Sequence, residues 1–171
     1  VIDEEARAAL QAHLDELRVK GRLLAEVELP KSAARGHFIK PSMYEIGSLK
    51  ELDREHFGPI LHVIRWKSGE LDKVIGAINA TGYGLTLGLQ SRIVTTRQYV
   101  EGHARVGNLY VNRNQIGAVV ESQPFGGEGL SGTGPKAGGP HYVARFATER
   151  VTCVDTTAAG GNASLMAAME G

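Results

Sequence analysis

Cysteine is almost missing from this sequence: Cys153 is the single one in 171 residues. No internal disulfide can form, and such a chain fits a reducing, cytoplasmic compartment. A charge excess is missing too. Nineteen basic and 19 acidic side chains give a formal net charge of zero, which argues against binding nucleic acid or a membrane surface through charge. No apolar run approaches the roughly 20 residues of a membrane-spanning helix. The six histidines, His13, His37, His56, His62, His103 and His141, fall on separate predicted elements without metal-ligand spacing. There is no Gly-Lys-Ser or Gly-Lys-Thr of a phosphate loop. Gly126-Gly127-Glu128-Gly129-Leu130-Ser131-Gly132 follows Pro124-Phe125 instead of a strand, and Pro135 follows instead of a helix. It therefore lacks the strand and helix that flank a dinucleotide fingerprint.

What the chain has in quantity is glycine, concentrated between Val106 and Pro140. Dense glycine marks tight turns or close backbone approach to a ligand. Leu109-Tyr110-Val111 reads as the end of a buried strand. The loop after it is expected to wrap a small-molecule pocket with backbone N–H groups turned inward. Val119-Val120 and Gln123-Pro124-Phe125 look like packed anchors, which a flexible glycine linker would not carry.

The rest of the chain suits one α/β domain with a mainly parallel sheet. Asp3 caps a helix in which Leu10, Leu14 and Leu17 form one stripe, and Gly21 stops it. Leu23 to Leu29 and His37 to Ile46 read as strands, broken by Pro30 and a polar turn. Ile60 to Trp66 is a strand, Glu70 to Ala80 a helix, and Leu85 to Leu89 a strand. Thr95 or Thr96 is expected to cap a helix running to about His103. Tyr142 to Phe146 reads as a helical turn or a short strand. Arg150 to Thr156 alternates and is rich in β-branched residues, so it predicts a strand that pairs with a neighbouring subunit. Ala158 to Gly171 is expected to be disordered on its own. The chain thus divides into a segment 1–147 and a strand-plus-tail segment 148–171. A start at Val1 with a helix already under way is expected of a piece of a longer polypeptide.

Two residues invite chemistry. Glu55, beside Phe57 in the turn forced by Gly58-Pro59, could hold vicinal ribose hydroxyls while the ring packs on a flat heterocycle. On spacing alone, a solvated glutamate next to a core phenylalanine is the better expectation. Cys153 could be a nucleophile, but in mid-strand with no basic cluster around it a buried structural thiol is the better expectation.

Glu55-His56-Phe57-Gly58-Pro59, Gly107-Asn108-Leu109-Tyr110-Val111-Asn112 and Pro124-Phe125-Gly126-Gly127 with Ser131-Gly132 resemble, in order and spacing, motifs of the aldehyde dehydrogenase superfamily. Ile116-Gly117-Ala118-Val119-Val120, the stretch from Gly132 to Pro140, and Asp155 to Ala163 are similar to the bifunctional proline utilization A family. Its members join an FAD-dependent proline dehydrogenase to an L-glutamate-γ-semialdehyde dehydrogenase. The resemblance covers essentially the whole chain. It implies part of an aldehyde dehydrogenase catalytic domain with a C-terminal oligomerisation strand, and NAD-dependent oxidation of glutamate semialdehyde to glutamate. It also implies that Glu55 and Phe57 bind the nicotinamide ribose of NAD. Backbone amides of Gly117 and Ala118 would hold the substrate α-carboxylate, and Phe125 would pack on its methylenes. The family's nucleophilic cysteine, glutamate base, oxyanion-hole asparagine and nucleotide-binding domain belong upstream of Val1. Cys153 aligns with the oligomerisation strand and is not the nucleophile. The alternative is a non-catalytic covering domain of the same superfamily, which a catalytic cysteine before Val1 would exclude.

Overall fold

The structure is a computed structural model and describes residues 1–155 and 167–168. Helix α1 (Glu4–Lys20) begins where the Asp3 carboxylate accepts the Ala6 N–H at 2.8 Å. Glu4 and Glu5 in its first turn and Arg18 and Lys20 in its last complement the helix dipole. Leu10, His13, Leu14 and Leu17 form its buried face. The helix ends at Gly21, whose N–H bonds the Leu17 carbonyl at 2.8 Å. A Cβ there would lie 3.0 Å from the Leu17 oxygen and 3.1 Å from the Glu45 oxygen, so glycine gives the closest approach of the helix end to the sheet without a local shift.

Strands β1 (Arg22–Glu26), β2 (Ser42–Glu45) and β3 (Ile60–Val63) make one sheet in that order. β1 runs antiparallel to β2, with an irregularity between Leu23 and Ala25. β2 and β3 are parallel, with Tyr44 opposite His62. Leu10, Leu14 and Leu17 pack with Ile39, Tyr44 and Ile46 into a core flanked by Leu52, Ile60 and Ile64.

Helix α2 (Leu71–Ala80) leads to β4 (Tyr83–Gly84) and β5 (Thr86–Leu89). Helix α3 (Val94–His103) then crosses to β6 (Asn108–Val111), which pairs in parallel with β5, a βαβ unit. β7 (Glu128–Gly129) pairs antiparallel with β4. Ile75, Val100 and Tyr110 are the buried apolar residues of this part.

The α/β class and the parallel portions match the sequence reading, but the sheets are mixed: β1–β2 and β4–β7 are antiparallel. The first strands are shorter than expected. His37 to Lys40 and Ile64 to Trp66 carry no ladder, because pairing partners set strand ends and apolar composition does not. Neither Thr95 nor Thr96 caps α3. Both lie inside its first turn, after Ile93, whose N–H is taken by the Ser91 hydroxyl at 3.1 Å. Val143–Phe146 is a 3-10 turn. Arg150 to Asp155, expected as strand, has no ladder and is exposed, and so is Cys153, expected to be buried. β-branched residues favour a strand only when a sheet edge receives them, and no described edge of this chain does. The end of that predicted strand and the predicted disordered tail lie outside the described residues, apart from Ala167 and Ala168, which are helical and exposed. Among the described residues no helix is long and apolar enough to cross a membrane.

Leu14 is 1% exposed at the centre of the first core. Leu14→Ala is expected to cost about 2–5 kcal/mol, read as a shift of the chemical-denaturation midpoint; a loss below about 1 kcal/mol would mean that α1 is not anchored by this face.

Candidate functional site

The first predicted cluster lies in the segment before β3. Here Glu55 and Phe57 are exposed while His56 faces in. Phe57 is 86% exposed, whereas the His56 side chain is 9% exposed. The Phe57 ring is therefore not a core residue. Among the described residues the Glu55 carboxylate takes no hydrogen bond or ion pair.

What holds this segment is α1. The His56 ring stacks on His13, with centroids 3.4 Å apart and planes 10° from parallel. His13 is 6% exposed, and its Nε2 lies 2.8 Å from Nε2 of His62 on β3. Asp53 Oδ1 stands 3.6 Å from His56 Nε2. One helical turn before His13, Leu10 fills the space against Gly58, where a Cβ would come within 2.5 Å of Leu10 Cδ1. On the far side the Pro59 carbonyl accepts the Ser42 N–H at 3.0 Å. The histidines are on separate elements, as the sequence indicates, yet three of them meet. No group of His, Cys, Asp or Glu among the described residues could hold a metal ion.

The second cluster follows β6. Asn112, with φ 55°, turns the chain out of the strand. Its side chain accepts the Ser91 N–H and donates to the Ser91 carbonyl, both at 2.9 Å. The loop then runs past Gly117, with φ 99°, to a tight hairpin in which Val119 and Gln123 exchange backbone bonds of 3.0 and 2.7 Å. The Tyr110 hydroxyl donates to the Gly117 carbonyl at 3.2 Å. Among the described residues the N–H groups of Gly117 and Ala118 take no partner. Both residues are exposed, and a Cβ on Gly117 would meet nothing within 4 Å. Val119 and Val120, expected as packed anchors, are exposed, Val120 by 73%. The anchoring is done by polar groups that the sequence did not single out. Arg113 donates to Gln123 Oε1 at 2.7 Å while its guanidinium lies 4.9 Å from the centre of the Tyr110 ring.

Phe125 is half-buried, and its backbone exchanges bonds of 3.0 and 2.8 Å with Ala137. Asn108 clamps this return strand to β6, donating to the Pro124 carbonyl at 3.0 Å and accepting the Gly126 N–H at 3.2 Å. Lys136 Nζ donates to the Gly126 carbonyl at 2.8 Å. The asparagines at the two ends of β6 were the available signal, since asparagine side chains readily bond nearby backbone. A groove of about 450 Å³ runs along β6, walled by Tyr110, Arg113, Gln123, Pro124 and Lys136. Gly117, Ala118 and Phe125 do not line it. No hydrogen bond, ion pair or ring contact among the described residues joins the Glu55–Phe57 segment to the Gly117–Phe125 loop.

The sequence pattern of the aldehyde dehydrogenase family matches residues 1–152. The chain belongs to the aldehyde dehydrogenase family. Among its relatives, the bifunctional protein PutA of Klebsiella aerogenes is 52% identical over 155 residues, covering 88% of this chain and 12% of that protein. The 1-pyrroline-5-carboxylate dehydrogenase 2 of Halalkalibacterium halodurans is 37% identical over 149 residues, 84% of this chain and 28% of that one. A crystal structure of a point mutant of Bradyrhizobium japonicum proline utilization A superposes with a TM-score of 0.82 at 52% identity, covering 88% of this chain and 15% of that chain. The Thermus 1-pyrroline-5-carboxylate dehydrogenase with bound NAD gives 0.75 at 34% identity, with 85% and 28% covered. The chain thus spans between 12% and 28% of the length of these relatives.

Gly107 stands where β6 meets the return strand, and a Cβ there would lie 1.8 Å from the Gly126 carbonyl oxygen. Gly76, in mid-α2, would place a Cβ in open space. Opposite signs are expected in denaturation midpoints: Gly107→Ala destabilising by about 1–3 kcal/mol, Gly76→Ala stabilising by about 0.5–1 kcal/mol.

Proposed function

We propose that this chain is the later part of an NAD-dependent aldehyde dehydrogenase that oxidises L-glutamate γ-semialdehyde, formed from Δ1-pyrroline-5-carboxylate, to L-glutamate in proline catabolism. Its parent is a bifunctional proline-utilization protein with an FAD-dependent proline dehydrogenase elsewhere in the polypeptide. The observation that carries the reading is the pair of unpartnered amides at Gly117 and Ala118, on a loop held at both ends and open at the glycine. Relatives called PutA and 1-pyrroline-5-carboxylate dehydrogenase support it.

Adjacent N–H groups in a turn make an anion nest. The Gly117 and Ala118 amides donate to the substrate α-carboxylate, and the missing side chain lets that group reach the backbone. Phe125, fixed through its backbone to Ala137, gives the methylenes an apolar wall. The Glu55 carboxylate accepts from the ribose hydroxyls of the cofactor, and Phe57 packs beside it. Their fit rests on a carboxylate without competing partners and an aromatic ring on the same outward face. NAD, when bound, takes the hydride of the oxidation. The thiol nucleophile, carboxylate base and oxyanion-hole asparagine come from polypeptide outside this chain, so these 171 residues alone turn nothing over. Cys153, exposed, is no substitute.

The rest of the parent covers the exposed apolar surface that includes Leu61 and Val120. The exposed Arg150–Asp155 segment pairs with a second subunit of a homo-oligomer, which would supply the edge it lacks. The segments 1–147 and 148–171 then divide into catalytic-domain and oligomerisation parts. The single cysteine and the absence of a membrane-crossing helix among the described residues support a cytoplasmic protein.

The test uses the intact parent. Gly117→Val, a branched side chain at a left-handed backbone position, should raise KM for glutamate semialdehyde about tenfold or more and affect an uncharged aldehyde less. Equal losses on both substrates would remove the carboxylate role. Glu55→Gln should weaken NAD binding while thermal stability holds; unchanged NAD kinetics would remove the ribose role.

A further inference from the structure

We propose that the stacked imidazoles of His13 and His56, closed by His62, form a positioning layer that presses the Glu55–Phe57 segment into the shape that receives the cofactor. This rests on the reading of Glu55 and Phe57 as cofactor contacts.

Three observations lead there. First, His56 sits between Glu55 and Phe57 and faces the opposite way, so where its ring rests sets where the two outward groups stand. Second, the ring rests on His13 at 3.4 Å, while Gly58, two residues on, rests on Leu10. The segment is thus fastened twice to one face of α1. Third, His13 is fixed from the side by His62 on β3 at 2.8 Å. A contact between two ring nitrogens needs one N–H and one lone pair, so His13 and His62 cannot both be doubly protonated while it stands. Two cationic rings would also repel across a stack.

The electrostatics agree. Burial, then the neighbouring His56 and His62, pushes the His13 pKa down to about 4. Burial, then His56, lowers His62 as well. Charged groups that favour protonation are Glu16 on α1 and Asp53 on the approach to the segment, and they do not overcome the burial. The sign follows. A neutral His13 is held in the fastened form, whereas a released His13 would titrate near the ordinary value of about 6.5. Above that value neither form takes up a proton and the fastening is at full strength. As pH falls from about 6.5 toward 4 the released form gains the proton first, and the fastening weakens by up to about tenfold per unit.

The test is made on the intact parent enzyme, with NAD dissociation constants by calorimetry and KM values for both substrates between about pH 8 and pH 5.5. His13→Ala should raise KM for NAD about tenfold at pH 8 and leave KM for glutamate semialdehyde within about twofold. His13→Phe keeps a flat ring under His56 without a titrating nitrogen. It should bind NAD nearly as the wild type does at pH 8 and lose affinity less steeply toward pH 5.5. Should His13→Ala not fold, the His13→Phe profile decides. NAD binding untouched by His13→Ala while Glu55→Gln weakens it would overturn the positioning role alone. A His13→Phe profile parallel to the wild type would do the same. NAD binding untouched by Glu55→Gln would overturn the reading of Glu55, and this proposal with it.

Discussion

The backbone of Gly107 against that of Gly126 is the contact on which the loop after β6 depends. With no Cβ on Gly107, the return strand comes close enough for the Asn108 side chain to bond both the Pro124 carbonyl and the Gly126 N–H. That clamp fixes Phe125, whose backbone pairs with Ala137, and the far end of the loop from Asn112 to Gln123. The near end is fixed by the reciprocal bonds between Asn112 and Ser91. A loop tied at both ends can leave amides in its middle unpaired without collapsing onto them. Two orphan N–H groups are costly if buried; at exposed Gly117 and Ala118, water or a ligand oxygen meets them at little cost.

The segment before β3 solves the same problem with side chains. It turns one residue, His56, inward for fastening and leaves Glu55 and Phe57 exposed. The Leu10–Gly58 packing and the His13–His56 stack lie one helical turn apart on α1. Neither fastening involves Glu55 or Phe57. In both regions the Glu55 carboxylate and the Gly117 and Ala118 amides take no partner among the described residues, and the fastening comes from their neighbours.

How much of this could be read in the sequence follows from the range of the forces involved. Helix α1 was legible throughout, because its cap, its leucine stripe and its glycine stop are local. The β5–α3–β6 unit was legible from alternation of apolar runs. Strand ends were not, since ladders stop where partners stop, and Ser91, whose hydroxyl accepts the Ile93 N–H ahead of α3, is itself held by Asn112, 21 residues away. The outward face of Phe57 and the exposure of Val119 and Val120 were illegible for a related reason: apolar composition says that a residue seeks cover, and it does not say which element supplies it. The histidine stack needed three elements to meet. Metal spacing, the local signal sought among histidines, was the wrong question for rings that contact each other.

The two clusters belong to different sheets and share no bond. Each is stabilised by its own core, the first by Leu10, Leu14 and Tyr44, the second by Val100 and Tyr110. Among the described residues no hydrogen bond, ion pair or ring contact couples the Glu55–Phe57 segment to the Gly117–Ala118 loop. This separation is useful. A disturbance under His56 is felt at Glu55 and Phe57 and leaves the Gly117–Ala118 loop in place, and a disturbance at Gly107 does the reverse. Independent mountings let the two regions vary separately, which one continuous loop carrying both would not permit.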